Sequence, residues 1–375
     1  MRIGIDASAL PPRPVGAGNY IIHLVRSLAA LKSEGEFIVF AQASRQELIA
    51  LPEDSTCRWV IVPDMKPAVR LVWEQTMFPR LVDKSGVELL HSLHYTRPIR
   101  LPCASVVTFH DMTFFLYPRL HTRPKRIFFR LAMQISARGA DALIADSEST
   151  RQDAIRLLGI PPQKIYTALL GVDEAYRPIS DLRALEAVQL KYGLPEDFIL
   201  YVGMVEPRKN LPLLIRAFRK LMDLGTDTHL VIAGRLGWMY ANVLQLIDTL
   251  GVKDRVSLIG YVPTQDLPLV YNLASIFVYP TLYEGFGLPA LEAMACGVPV
   301  VTTEVSSLPE IVGDAGILVP ANDETALTRA IQSVLTDRAL SQRLAILGPE
   351  RASQFTWERT AQQTLQVYRD VLRAD

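Results

Sequence analysis

Residues 284–301, EGFGLPALEAMACGVPVV, set two glutamates, Glu284 and Glu292, around a Gly-Phe-Gly-Leu-Pro turn and an otherwise apolar helix. Gly285 and Gly287 permit a backbone that bulkier residues resist, Pro289 suits the first helical turn, and Gly297 supplies the stop. The amides of Phe286, Gly287 and Leu288 then lie at a helix N-terminus, where they can hold phosphate. A carboxylate one turn further in, at Glu292, is costly to bury unless something hydrogen-bonds to it. The helix dipole favours an acidic residue near this end by about 0.3–1 kcal/mol. That suits Glu292 but explains Glu284 poorly, because Glu284 precedes the turn. Hydroxyl groups answer both, since carboxylates accept hydrogen bonds from them while the amides in between hold phosphate. A sugar joined to a phosphate joined to a ribose satisfies the whole stretch.

Other reactive side chains sit where apolar runs end. His110 and Asp111 follow ASVVTF, Ser147 follows DALIAD, Arg208 and Lys209 follow FILYVGMV, and Arg235 follows HLVIAG. A guanidinium and an ammonium at 208 and 209 can neutralise charge building on a departing nucleoside diphosphate; a solvated loop is the plainer reading. Arg235 is open between the same phosphates and the surface. Gly16 and Gly18 of PVGAGNY precede a helix, a weak pattern that marks a tight turn in most proteins. His110 reads equally as a histidine satisfied within the fold, and His91 and His94 of HSLHY as a pair on one strand face rather than ligands.

Thirteen short apolar runs alternate with helical periodicity, in two series: RIGIDA, FIVFAQ, CRWVIVP, VELLHSL, ASVVTFH, DALIADS and KIYTALLGV, then FILYVGMV, HLVIAG, RVSLIGYV, SIFVYPT, PVVTTE and GILV. Continuous apolar strands separated by helices indicate parallel sheets covered on both faces. Two doubly wound α/β domains follow, with ligands beyond the carboxyl ends of their strands and a cleft implied between them. The polar stretch 173–196 marks the expected boundary, giving domains at 1–180 and 190–355 and a C-terminal helix at 356–375. The chain has 375 residues, 49% hydrophobic, and zero formal net charge, which excludes a field suited to polyanions. Three scattered cysteines, Cys57, Cys103 and Cys296, fit reduced thiols rather than a disulfide frame or zinc site. MRIGIDAS enters a strand directly without a signal-peptide pattern, so a cytoplasmic protein is expected. No apolar run is long enough to span a bilayer. HTRPKRIFFRLAMQISAR, residues 121–138, is a basic amphipathic segment. It reads either as a peripheral contact to the inner membrane face or as an ordinary surface helix with a buried aromatic face.

The chain resembles the retaining GT-B glycosyltransferases of family 4, the group 1 glycosyl transferases, over nearly its whole length. GIDAS, PVGAGNY, FHD, VGMVEPRKN, VIAG, GYV, the stretch from Glu284 to Val301 and the closing FTWERTAQQTLQVY carry the likeness. The resemblance implies two Rossmann-like domains facing across a cleft, a first domain for the acceptor, a second for a nucleotide-sugar donor, and a C-terminal helix crossing back to the first. It gives Glu284 the donor-sugar hydroxyls and Glu292 the ribose. The amides of Phe286, Gly287 and Leu288 face the diphosphate and sugar, and Arg208 and Lys209 act in place of a metal. Gly16 and Gly18 approach the diphosphate and part of the acceptor site. His110 is expected to bond a sugar hydroxyl or to stabilise the transition state through its backbone carbonyl, and Asp111 to orient His110 or line the acceptor pocket. The family shows no agreed enzymic nucleophile; the leaving phosphate is the expected base, with Asp111 and Glu284 remaining as participants.

HSLHYTRP, FHDMTFFLYP and VGMVEPRKN look most like the branch using GDP-mannose, with a UDP- or ADP-sugar as alternatives and a glycan or lipid-linked acceptor. No Asp-x-Asp metal motif accompanies them, so neither metal nor cofactor is expected. A nicotinamide oxidoreductase would need Gly-x-Gly-x-x-Gly directly after the first strand, and Gly16-Ala17-Gly18 lies well beyond RIGIDA. A GT-B epimerase or phosphorylase is the nearest competitor, and a non-catalytic sugar-binding protein would not need Glu284, Glu292, Arg208 and Lys209 together.

Overall fold

The computed structural model describes residues 1–31, 35–51, 55, 57–237 and 240–374. The chain divides into two compact units, one of residues 1–171 with 356–375 and the other of residues 172–355.

The first unit holds a parallel sheet of seven strands: β1 (Arg2–Asp6), β2 (Glu36–Gln42), β3 (Cys57–Val62), β4 (Leu89–Ser92), β5 (Ala104–Phe109), β6 (Ala142–Ala145) and β7 (Ile165–Thr167). Their spatial order is β3-β2-β1-β4-β5-β6-β7, so the winding reverses between β1 and β4. Both faces are covered. Phe40, Val62, Phe78 and Leu90 fill one buried cluster, and Val107, Phe109, Met133 and Leu143 belong to another. The closing helix Trp357–Ala374 packs against the helix Ala17–Ala30 of this same unit. The Thr360 hydroxyl donates to the Leu169 carbonyl (2.6 Å).

The second unit repeats the plan with β8 (Phe198–Val202), β9 (His229–Ala233), β10 (Val256–Gly260), β11 (Ile276–Tyr279), β12 (Val300–Thr303) and β13 (Ile317–Val319). The order β10-β9-β8-β11-β12-β13 reverses between β8 and β11, which pair in parallel with Phe277 beside Leu200. Such reversals leave a crevice at the carboxyl ends where neighbouring loops run to opposite faces of the sheet. The division falls at 171/172, ahead of the polar stretch 173–196. Tyr176 already packs on Tyr271, and Asn272 bonds both the Ile179 amide and the Arg177 carbonyl. Residues Leu182–Tyr192 form a helix, capped by Asp181, that packs on the helix Leu267–Asn272. This stretch thus belongs to the second unit and holds a solvated helix over Leu182–Tyr192.

Candidate active site

At the reversal between β8 and β11, two loops from distant parts of the sequence interlock. After β8 the chain makes a tight turn, Pro207–Lys209, closed by Asn210 at φ 52°. After β11, Thr281–Glu284 returns beside it, with the Leu282 amide on the Arg208 carbonyl (2.8 Å). Lys209 and Glu284 are both buried. The Lys209 ammonium lies 2.7 Å from Glu284 Oε1, which also accepts from Thr281 Oγ1 (2.8 Å) and Tyr279 Oη (3.1 Å). Arg208 places one amino group 2.9 Å from Glu284 Oε2 and the other 3.0 Å from Glu206 Oε1. Burial raises the Glu284 pKa, but the charges of Arg208 and Lys209 prevail and hold it at about 2. Burial and the neighbouring Arg208 charge together lower that of Lys209.

The turn after Glu284 has the form its residues require. Gly287 adopts φ 105°, and a Cβ there would come 2.7 Å from Leu308 Cδ2. The Ser307 hydroxyl ties the turn down by donating to the carbonyls of Glu284 (3.1 Å) and Phe286 (2.7 Å). The helix Leu288–Ala295 begins there with no side-chain cap, which leaves its leading amides for an anion. Glu292 is buried on this helix, accepting from the Tyr271 hydroxyl at 3.0 Å. No cation among the described residues compensates it, and burial lifts its pKa to about 7. Arg235, following β9, runs beside the 203–205 segment through the Val205 amide on its carbonyl (2.9 Å). Its guanidinium lies over the Tyr261 ring, 4.6 Å from the centroid, while Nε and one amino group are buried with no partner among the described residues. That arrangement takes Arg235 away from the plain surface reading.

In the first unit, His110 is buried at the end of β5 and both ring nitrogens are engaged. Nδ1 lies 2.8 Å from Asp146 Oδ2, and Nε2 lies 2.9 Å from the Leu93 carbonyl. The ring therefore has no nitrogen left for a sugar hydroxyl in this arrangement, and of its two expected roles the backbone carbonyl remains. Burial alone would lower the His110 pKa; the Asp146 charge and hydrogen bond, with the Leu93 carbonyl and Asp111, raise it instead. Orienting His110 thus falls to Asp146. Asp111 binds its own turn, accepting from the Thr113 amide (2.9 Å) and hydroxyl (2.7 Å). His91 is a structural residue, bridging Tyr368 Oη (2.7 Å) and Thr108 Oγ1 (2.8 Å), with its pKa pulled down to about 3 by burial. The His94 ring lies 5.4 Å from that of His110. Gly16, at φ 51°, starts the helix Ala17–Ala30, and a Cβ at Gly18 would stand 3.0 Å from Pro14 Cβ. Among the described residues there is no cluster of three or more His, Cys, Asp or Glu able to hold a metal.

Asp146, Thr281, Tyr279, Tyr271 and Ser307 escaped the sequence reading. Asp146 alone carried a signal there, as an acidic residue closing the apolar run DALIAD.

Two open parallel sheets of this order, with polar residues gathered at their carboxyl ends, are two Rossmann-like domains, the architecture of the GT-B glycosyltransferases to which the following comparisons point. The profile for "Glycosyltransferase Family 4" matches residues 14–176 and that for "Glycosyl transferases group 1" matches residues 186–351. O-antigen chain mannosyltransferase B of Escherichia coli is 34% identical over 94% of this chain and 96% of its own length. A D-inositol 3-phosphate glycosyltransferase of Thermobifida fusca is 33% identical over 62% of this chain and 56% of its own. Among solved structures, sucrose-phosphate synthase from Thermosynechococcus elongatus superposes over the whole of both chains with TM-score 0.79 at 24% identity. The chain belongs to the group 1 glycosyltransferases of family 4.

Proposed function

We propose that this glycosyltransferase moves mannose from GDP-mannose to a hydroxyl of a glycan or lipid-linked acceptor, with retention at the anomeric carbon and without a metal. The donor rests on the nearly full-length likeness to an O-antigen mannosyltransferase. The chemistry rests on one observation, the ion-paired set Arg208–Lys209–Glu284 at the β8/β11 reversal, with Lys209 and Glu284 buried. Glu284 fixes both cations in place before the donor arrives, so they need little reorganisation when charge develops on the departing phosphate. Glu206 and Glu284 balance the charges of Arg208 and Lys209. The leftover attraction for a diphosphate comes from Arg235 and from the amides of Phe286, Gly287 and Leu288. Glu284 receives hydroxyls of the sugar and Glu292 those of the ribose. In the first unit Asp146 holds the His110 side chain, which leaves the backbone carbonyl for the role the resemblance gives this residue. The leaving phosphate takes the proton of the incoming hydroxyl on the same face.

A UDP-sugar is the second reading, since a structural neighbour of the same fold, Anabaena Alr3699/HepE, holds UDP-glucose. Thermal shift with GDP, UDP and ADP and their sugars separates the two, because a ligand at a hundred times its dissociation constant stabilises by about 2.7 kcal/mol. A shift with UDP-glucose and none with GDP-mannose would replace the donor. Release of free nucleoside diphosphate without any acceptor would favour an epimerase.

A further inference from the structure

The carboxyl edge of the first unit's sheet carries polar groups that the transfer chemistry leaves unused. The neighbouring strands β1, β4, β5 and β6 end at Asp6, Ser92, Phe109 and Ala145, and just past three of these ends stand His94, His110 and Asp146. The helix Pro67–Thr76 brings Arg70 and Glu74 to the reversal between β1 and β4. Three buried atoms along this edge have no partner among the described residues: Ser92 Oγ, His94 Nδ1 and Asp146 Oδ1. Such atoms are rare in folded proteins and call for water or a ligand.

His94 is where a ligand can enter. Its ring is only partly buried, whereas His91 is fully enclosed and bonded through both nitrogens. The His94 ring rests against those of Tyr95 (4.7 Å) and His110 (5.4 Å), contacts that leave Nδ1 idle. Burial, together with the charges of His110 and Arg70, holds its pKa well below the ordinary histidine value. The imidazole is therefore neutral, with one donor and one acceptor, and suits a hydroxyl, which both donates and accepts.

Charge says which kind of hydroxyl compound. One Arg70 amino group lies 2.9 Å from Glu74 Oε2 and 3.9 Å from Asp6 Oδ2, and also donates to the Ser8 hydroxyl (3.3 Å). Glu74 accepts further from the Thr96 hydroxyl (2.8 Å) and the Gln75 amide (2.9 Å), so the cluster is tied down. His110 faces the charges of Asp146 and Asp111. Arg70 and His110 thus stand against four carboxylates, those of Asp6, Glu74, Asp111 and Asp146. A phosphate arriving beside His94 would meet an excess of its own charge.

We propose that His94 binds a hydroxyl of the acceptor, and that the Asp6–Arg70–Glu74 cluster confines the acceptor to an uncharged sugar and excludes a phosphorylated one. This rests on the reading of the protein as a transferase with a hydroxyl acceptor, and adds the acceptor's chemical class.

Saturation-transfer NMR on the full chain at pH 8, with methyl α-mannoside and mannose 6-phosphate as probes, tests it. No donor takes part, so the result is independent of the donor assignment, which melts with nucleotides read separately. Methyl α-mannoside should bind, and mannose 6-phosphate about tenfold or more weaker. His94→Phe keeps a ring and deprives no described residue of a hydrogen bond. It should melt no lower than the parent and bind methyl α-mannoside roughly three- to tenfold more weakly. Glu74→Gln keeps an oxygen for Thr96 and removes one negative charge, so mannose 6-phosphate should gain about tenfold while methyl α-mannoside does not. Should that variant fail to fold, the parent's preference and His94→Phe still decide. Equal or tighter binding of the phosphorylated sugar, or methyl α-mannoside binding that His94→Phe leaves unchanged, would overturn the proposal. Binding of neither sugar would overturn it too, and would leave the three idle atoms to water.

Discussion

Replacing Glu292 by Gln should stabilise the ligand-free protein while impairing it as an enzyme. Burial, more than any other influence, lifts the Glu292 carboxyl from 4.5 to about 7; the Tyr271 and Tyr176 hydroxyls only partly offset this, and Asp173 adds to it. The fold therefore favours the protonated acid. That relative stability is fully present below the unfolded pKa near 4.5 and is lost as pH rises through about 7. The shift corresponds to roughly 3 kcal/mol at pH 8. A glutamine keeps an oxygen for the Tyr271 hydroxyl and never ionises, so the variant should escape the loss. For a domain of this size 1 kcal/mol moves the melting temperature by about 2–4 °C. Glu292→Gln should thus melt about 6–12 °C higher at pH 8, and within a degree or so of the parent at about pH 4. Donor KM should rise by one to two orders of magnitude with kcat nearly kept, because a charge-assisted bond to a group remote from the reacting carbon is worth about 1.5–3 kcal/mol. Thermal melts across pH without ligand, together with steady-state kinetics, check both halves. A variant that melts lower by the same amount at both pH values would refute the burial argument. An unchanged KM would remove Glu292 from the ribose.

The opposite behaviour is expected of Glu284→Gln. The ionised carboxyl, held at about 2, supplies stability that is present above 4.5 and lost as pH falls through about 2, so the variant strands buried Lys209 at neutral pH. A loss of about 3–5 kcal/mol in melts, with the kinetic defect mainly in kcat, is the outcome to look for. Arg235→Ala should weaken donor binding by about 1.5–3 kcal/mol, read as a raised Kd for the nucleoside diphosphate, while melts register only the lost contact with the Tyr261 ring, about 0.5–1 kcal/mol. Transfer should survive EDTA; complete loss restored by manganese would mean that Arg208 and Lys209 do not supply the charge. Asp146→Asn removes what raises the His110 pKa, and a raised histidine contributes stability below about 6.5 that fades as pH climbs through the folded value. The variant should therefore lose about 1.5–3 kcal/mol at pH 6 and converge with the parent in alkali, as followed by melts.

The strands were legible because parallel strands covered on both faces leave short, nearly unbroken apolar runs. FILYVGMV, HLVIAG and SIFVYPT each hold a strand that starts within a residue of the run and stops one to three residues before its end. The division of the chain was less so: residues 182–192 mix apolar and polar side chains because one face of their helix meets water, and composition alone cannot separate such a helix from a linker. Side-chain partnerships were harder still. Asp146 meets His110 because β5 and β6 are neighbours, and their carboxyl ends bring together residues well apart in sequence. Lys209 reaches Glu284 because β8 pairs with β11 and not with the intervening β10. Sequence spacing within one loop, as in Glu284–Glu292, carries local geometry, whereas the winding of the sheet decides which loops meet.

That winding also gives the two glutamates of one motif opposite electrostatics. Glu284 faces a loop that brings two cations, so it is a fixed charge across the working pH range. Glu292, one helical turn into the same segment, faces tyrosines and titrates near neutrality. Environments that push paired carboxyls apart in this way assign them different tasks. A permanently charged Glu284 can pin Arg208 and Lys209 in the empty site, so the cations are already placed when the diphosphate arrives. Glu292 has only tyrosine hydroxyls and no cation beside it among the described residues, so further hydroxyl donors are what would favour its ionised form. On the proposed reading the ribose supplies those donors, so nucleotide binding should expel a fraction of a proton from Glu292 near pH 7. The heat of nucleotide binding should then depend on the ionisation enthalpy of the buffer, a dependence that Glu292→Gln abolishes and Glu284→Gln leaves in place.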